Sequence, residues 1–137
     1  MYEALSALGS VVLDPYLLFL IFATTVIGIV IGVLPGLGAT TGAALLLPFT
    51  LTMDPVHAIA VLATIYVSAT FAGSITAILI NTPGTSAAAA TTFDGFPLAQ
   101  RGEAGRALGI AVIASTFGGL VSVIVLCFAA PLLARVA

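Results

Sequence analysis

Residues 14–38 read DPYLLFLIFATTVIGIVIGVLPGLG, and this stretch decides the fold. Asp14-Pro15 is a helix-start signal, because Asp accepts the free backbone N–H groups of a first turn and Pro at the first helical position loses no hydrogen bond. Residues 16–34 carry no charge, and about 20 apolar residues are enough to cross the ~30 Å hydrocarbon core of a bilayer. The stretch therefore predicts a transmembrane helix that ends at Pro35-Gly36.

Two further stretches of the chain, residues 55–80 and 107–134, also contain no Asp, Glu, Lys or Arg. Asp54-Pro55 repeats the helix-start signal in front of the first of them, and the second is long enough to span with tilt. We predict an all-α, polytopic membrane protein with about three transmembrane helices plus one short or re-entrant helical segment. The helices are expected to be discontinuous at two Pro-Gly breaks.

The composition agrees with this fold class. Hydrophobic residues make up 61% of the 137 residues and charged residues 6%, with a mean hydropathy of +1.32, whereas soluble domains carry about 25% charged residues. The net charge of −2 excludes the basic footprint of a nucleic-acid-binding protein. The charge-free runs make a lipid bilayer the expected surroundings. Cys127 is the only cysteine, which excludes an intrachain disulfide.

Small residues recur at a spacing of four in two of the charge-free runs. Gly28, Gly32 and Gly36 form one stripe, and Gly73 lies between two alanines, at positions 69 and 77, in the other. Such stripes let another transmembrane helix approach closely. We therefore predict helix packing at Gly28, Gly32 and Gly73, with a kinked, lipid-facing helix as the alternative for the first stripe.

The remaining segments are less regular. Residues 2–12 have the apolar spacing of a short interfacial helix. Residues 39–54 are too short for a comfortable span, and a half-helix, a tilted short span and a re-entrant arm all remain open. Residues 93–106 are the most hydrophilic stretch and are expected at an aqueous face. The two arginines of this stretch favour the cytoplasmic side, whereas Arg135 favours the opposite side if the third run crosses fully.

The two Pro-Gly breaks are the best candidates for a binding site. After each break a segment rich in Thr, Ser, Ala and Gly follows. A helix that restarts there presents unpaired N–H groups and the positive end of its dipole, which binds anions without an arginine. Discontinuous helices of this kind form substrate sites in secondary transporters, and an ordinary loop between spans is the alternative. The candidate substrate-binding residues are Pro35, Gly36, Gly38, Thr40, Thr41, Asn81, Pro83, Gly84, Thr85 and Ser86.

Few other residues point to chemistry. Asp94-Gly95 most simply forms a turn in a solvated loop, and a role of Asp94 in ion coupling or gating is the alternative. His57 follows Asp54 by three positions, but two ligands do not make a metal site. Neither an H-E-x-x-H nor a G-x-S-x-G motif is present. We therefore expect no enzymatic activity, no metal and no cofactor.

Six motifs stand in order along the chain: GVLPGLGAT at 32–40, LLLPFT at 45–50, GSI at 73–75, ILINTPG at 78–84, DGFPLA at 94–99 and GEAGRAL at 102–108. Together they resemble the N-terminal part of the large membrane subunit of tripartite tricarboxylate transporters, the TctA family. The resemblance runs from about Leu5 to the end of the chain.

The resemblance implies a multi-pass carrier of the bacterial inner membrane that imports carboxylates such as citrate. The family's import is driven by an ion gradient, here of Na⁺ or H⁺, together with a small membrane subunit and a periplasmic solute-binding protein. Family members are several times longer, so residues 1–137 would form a partial transporter membrane domain, as a fragment, a truncated product or one piece of a split protein. The alternative is a non-transporting membrane interaction module or remnant that assembles through small-xxx-small helix faces.

Overall fold

The computed structural model describes residues 13–133, and the side chains of residues 13–130. The interfacial helix predicted for residues 2–12 lies outside this range, as does Arg135. Over the described residues the chain is helical, which confirms the predicted fold class. The helices are α1 (Pro15–Val33), α2 (Gly38–Thr50), α3 (Pro55–Ile80), α4 (Thr91–Gln100) and α5 (Ala104–Leu133), and a 3₁₀ turn over Ser86–Ala90 leads directly into α4.

Three of these helices are long and apolar enough to cross a membrane, namely α1, α3 and the part of α5 from Ala104 to Ala130. The chain passes through Pro131 without ending α5. The three candidate spans correspond to the three charge-free runs.

The helix-start signals at Asp14 and Asp54 act as predicted. The Asp14 carboxylate accepts a hydrogen bond from the Tyr16 N–H at 2.9 Å, and the Asp54 carboxylate accepts one from the Val56 N–H at 3.1 Å. His57 lies between them, with Nε2 3.3 Å from Asp14 Oδ2 and Nδ1 3.6 Å from Asp54 Oδ2. The N-termini of α1 and α3 therefore lie at the same end of the molecule, which we call the aspartate face.

The capping contact of Asp14 predicts a pH dependence. The Tyr16 N–H, and more weakly His57, hold the pKa of Asp14 below its ordinary value, against an opposing effect of burial. A lowered pKa in the folded state stabilises the fold above the unfolded pKa, and this contribution is lost as the pH falls through the folded pKa. We expect the Tm of the protein to fall between about pH 5 and pH 2, and to fall less in Asp14→Asn, which keeps a capping side chain. Parallel pH profiles of the two proteins in thermal unfolding would contradict this assignment.

Helix α2 returns the chain from the first break toward the aspartate face. The turn between α1 and α2 uses Gly36 at φ 92° and Gly38 at φ 63°, left-handed conformations that favour glycine. With 13 residues, α2 is about 20 Å long and is shorter than the ~30 Å hydrocarbon core. It is thus a short helix that pairs with α1 in a hairpin.

After the second break the chain forms another short helical segment. Helix α3 ends at Asn81, which is left-handed at φ 55°, and the chain turns back until the Gly84 N–H donates to the Gly73 carbonyl at 3.2 Å. The 3₁₀ turn and α4 then run outward again beside the last turns of α3, where Gly95 is buried against Ile78. The structure therefore has two short helical segments beside the spans, where the sequence predicts one.

Asp94 lies in the first turn of α4, so the predicted turn at Asp94-Gly95 is wrong. The reason is packing, because a Cβ at Gly95 would come within 2.7 Å of Ile78 Cγ1. Glycine at this position lets α4 lie directly on α3, and that contact outweighs the weak helix propensity of glycine.

The small residues of α1 and α3 lie where backbones touch. A Cβ at Gly28 would collide with the Ser68 side chain, and one at Gly32 would collide with the backbone of Ala69. A Cβ at Gly73 would lie 2.8 Å from the Thr85 nitrogen. Close packing along this line fixes α1, α3 and the second break relative to one another.

Candidate functional site

The two Pro-Gly breaks meet in one cavity of about 320 Å³. We call it the break cavity. It lies where α1 ends, α2 begins and the second break folds back on α3. The residues that line it are Gly36, Gly38, Ala39, Thr40, Tyr66, Thr70, Pro83, Gly84, Thr85, Ser86 and Ala87.

Three glycines bring the two breaks together. The Gly84 N–H donates to the Gly73 carbonyl at 3.2 Å. A Cβ on Gly84 would collide with the Gly32 carbonyl oxygen and lie 2.9 Å from Gly73 Cα. The last turn of α1, the middle of α3 and the second break are therefore in direct backbone contact, and no side chain fits between them.

Two helical segments begin at the break cavity without a side-chain cap. Helix α2 starts at Gly38, and its N-cap residue Leu37 makes no side-chain hydrogen bond to the first turn. The helical stretch from Ser86 to Gln100 starts after Thr85, which makes none either. The first N–H groups of a helix have no acceptor within the helix and carry the positive end of its dipole. The break cavity is therefore lined by the starts of two helical segments, one from each break, neither of which has a side-chain cap.

The side chains of the cavity add hydroxyl groups and no charge. Among the described residues, Thr85 Oγ1 is buried and has no hydrogen-bond partner. A buried polar group without a partner costs about 1–3 kcal/mol. Thr85 lines the cavity, but its Oγ1 lies against Gly73, so a rotation of the side chain would be needed for a ligand to supply the missing partner. Uncharged donors suit an anionic group, which would need no buried arginine.

Most of the predicted site residues line this cavity, and three do not. Pro35 lies in the turn before Gly36, Thr41 is exposed on α2, and Asn81 ends α3. The sequence reading missed Tyr66 and Thr70 of α3, which line the cavity opposite the breaks. Polar residues spaced by four within an apolar run share one helix face, and that pattern was the available signal.

Asp94 lies away from the break cavity. It lines a separate cavity of about 300 Å³ between α3, α4 and α5, together with Ser74 and Ser115. The structure thus places the predicted substrate residues and the predicted coupling residue in two different cavities.

Comparison with known proteins gives the family. Residues 18–137 match the family described as "Tripartite tricarboxylate transporter TctA family". An Agrobacterium vitis protein named "Uncharacterized 52.8 kDa protein in TAR-I ttuC' 3'region" is 47% identical over 116 residues, which cover 85% of this chain and 23% of that relative. The chain therefore spans about a quarter of that relative's length. No solved structure matches the chain. Because the family match covers almost all of its length, this chain belongs to the tripartite tricarboxylate transporter TctA family.

Proposed function

We propose that the chain forms part of the membrane subunit of a carboxylate transporter, and that the break cavity binds a carboxylate group of the substrate. The observation that carries this proposal is the meeting of two uncapped helix starts in one cavity. Membership of a transporter family supports it independently.

The chemistry of binding follows from the amide donors. Hydrogen bonds from an N–H to a charged acceptor contribute about 1.5–3 kcal/mol each, more than neutral pairs. We assign three donors to the substrate carboxylate, namely the amides of Gly38 and Ala39 and the hydroxyl of Thr85. At about 320 Å³ the cavity lies at the small end of ligand pockets, which suits a compact organic acid such as citrate.

We further propose that a gradient of Na⁺ or H⁺ drives import, with Asp94 as the coupling residue. The proposed partners are a small membrane subunit and a periplasmic solute-binding protein, and the proposed location is a multi-pass position in the bacterial inner membrane. Alternating-access sites are built between two repeats, and residues 1–137 would supply part of one repeat as a partial transporter domain.

The proposed orientation rests on the positions of the charges. Arg101 and Arg106 flank the start of α5, at the end of the molecule opposite the aspartate face. We call this end the arginine face. By the positive-inside rule the arginine face is cytoplasmic, which places Asp14 and Asp54 on the periplasmic side.

The alternative, a non-transporting interaction module, has less support. Its assembly would use the small-residue faces at Gly28, Gly32 and Gly73. In this chain those faces are filled by Ser68, Ala69 and Thr85, so they are not available to a partner helix.

The test is ligand-dependent thermal stabilisation of the protein as its gene encodes it, in lipid nanodiscs. A ligand that binds the folded state raises the Tm in proportion to RT ln(1 + [L]/Kd). We expect di- and tricarboxylates to raise the Tm by several degrees when they are present well above Kd, and carboxamide analogues of the same shape to have little effect. Equal shifts with acids and amides, or no shift with any acid, would overturn the assignment of the cavity.

A further inference from the structure

Three cavities follow one face of α3 from the break cavity toward the arginine face. The break cavity shares Tyr66 and Thr70 with a second cavity of about 280 Å³, which we call the middle cavity. The middle cavity shares Ser74 and Ser115 with the Asp94 cavity of about 300 Å³. Because neighbouring cavities have wall residues in common, the three lie in a row along α3.

Hydroxyl groups accompany this series. Tyr66, Thr70 and Ser74 are spaced by four, so they lie on one face of α3. Ser115 of α5 faces them across the middle cavity. These four hydroxyl residues lie within two helices that are otherwise apolar enough to span a membrane. They line the series of cavities with oxygen atoms.

The charge along the series has one sign. Asp94 lines the outermost cavity, and none of the described residues that line the three cavities is a lysine or arginine. Hydroxyl and carboxylate oxygens are ligands of hard cations, whereas a single carboxylate repels a substrate anion.

We propose that the three cavities form an aqueous passage for a small cation, which follows the hydroxyl groups of α3 between the break cavity and Asp94. This inference rests on the proposed function, because the passage serves transport only if the break cavity binds a carboxylate. A cation that reaches the break cavity would lie beside the bound carboxylate and offset its charge where the dielectric constant is low.

The passage can be tested by the accessibility of three matched serines. In a background in which Cys127 and any further cysteine of the gene product are replaced by alanine, single variants Ser74→Cys and Ser115→Cys place a thiol in the passage. Ser122→Cys is the control, because Ser122 is exposed on α5 and lines none of the three cavities. The complete gene product in nanodiscs is treated with a cationic and an anionic methanethiosulfonate of similar size. Thermal unfolding of each variant checks that it is folded.

We expect the thiols at positions 74 and 115 to react faster with the cationic reagent, and the thiol at 122, which lies outside the passage, to react slowly with both. Adding Asp94→Asn should lower the ratio of cationic to anionic rates at position 74 about two- to fivefold, as expected for one charge at intermediate dielectric constant. Reaction at 74 and 115 no faster than at 122, or a ratio unchanged by Asp94→Asn, would refute the passage.

The carboxylate-dependent Tm shift of the same preparations separates the two proposals. A Tm shift without thiol reaction refutes the passage and leaves the carboxylate site standing. Thiol reaction without a Tm shift refutes the carboxylate site and leaves the passage standing.

Discussion

Replacing Gly84 by alanine is expected to lower the free energy of unfolding by about 2–3 kcal/mol, the upper part of the range for overpacking. The added Cβ would collide with the Gly32 carbonyl oxygen and approach Gly73 Cα to 2.9 Å. Both neighbours are backbone atoms of packed helices, so neither can rotate away as a side chain would. The second break must then move off α1 and α3, which opens the break cavity. Thermal unfolding in nanodiscs measures the loss of stability.

Gly118→Ala is the matched control for this substitution. Gly118 lies inside α5, and a Cβ at this position has open space within 4 Å among the described residues. Alanine is a better helix former than glycine by about 0.5–1 kcal/mol, so this variant should be as stable as the parent or slightly more stable. A Gly84→Ala protein with the Tm of its parent would show that the three backbones do not touch as described.

Replacing Thr85 by valine is expected to separate ligand binding from stability. Valine keeps the shape of threonine and removes Oγ1, which is buried without a partner among the described residues. Without ligand, the variant should be at least as stable as the parent, because an unsatisfied buried hydroxyl costs about 1–3 kcal/mol. With a carboxylate ligand, the affinity should fall about tenfold, or about 1.4 kcal/mol, because one donor to a charged acceptor is lost.

Calorimetric titration together with thermal unfolding measures both effects. Thr92→Val is the control, because the Thr92 hydroxyl donates to the Ala89 carbonyl at 2.7 Å and lines none of the three cavities. It should leave carboxylate affinity unchanged. If Thr85→Val instead destabilises the free protein and keeps full affinity, the Thr85 hydroxyl serves the fold and not the ligand.

The spans and their starting points could be predicted because their signals are local. Charge-free runs of sufficient length and the pairs Asp14-Pro15 and Asp54-Pro55 depend only on neighbouring residues. The Pro-Gly breaks are equally local. Their meeting in one cavity is not, because it depends on Gly32 and Gly73 allowing a backbone contact with Gly84 far along the chain. A single sequence shows that these glycines are small, but not which backbone each one touches.

The sequence does not predict helix α4, for a related reason. Gly95 and Pro97 are poor helix formers, and Asp94 next to Gly95 is typical of a turn. The helix exists because Gly95 packs against Ile78, a tertiary contact that outweighs local propensity. Tyr66 and Thr70 were missed because a hydroxyl within a span can face lipid, protein or a cavity. Only the fold shows that these two face the breaks.

If main-chain amides bind the substrate as proposed, this has a consequence for how selectivity can diverge among related carriers. The N–H groups at Gly38 and Ala39 belong to the main chain, so substitutions at positions other than the left-handed Gly38 cannot easily erase them, proline excepted. What substitutions can change is the room around the acid, chiefly through the bulk of Thr40 and Tyr66. Carriers of this kind should change which organic acid they select through residues that set the size of the cavity, while the main-chain donors to the anion stay the same.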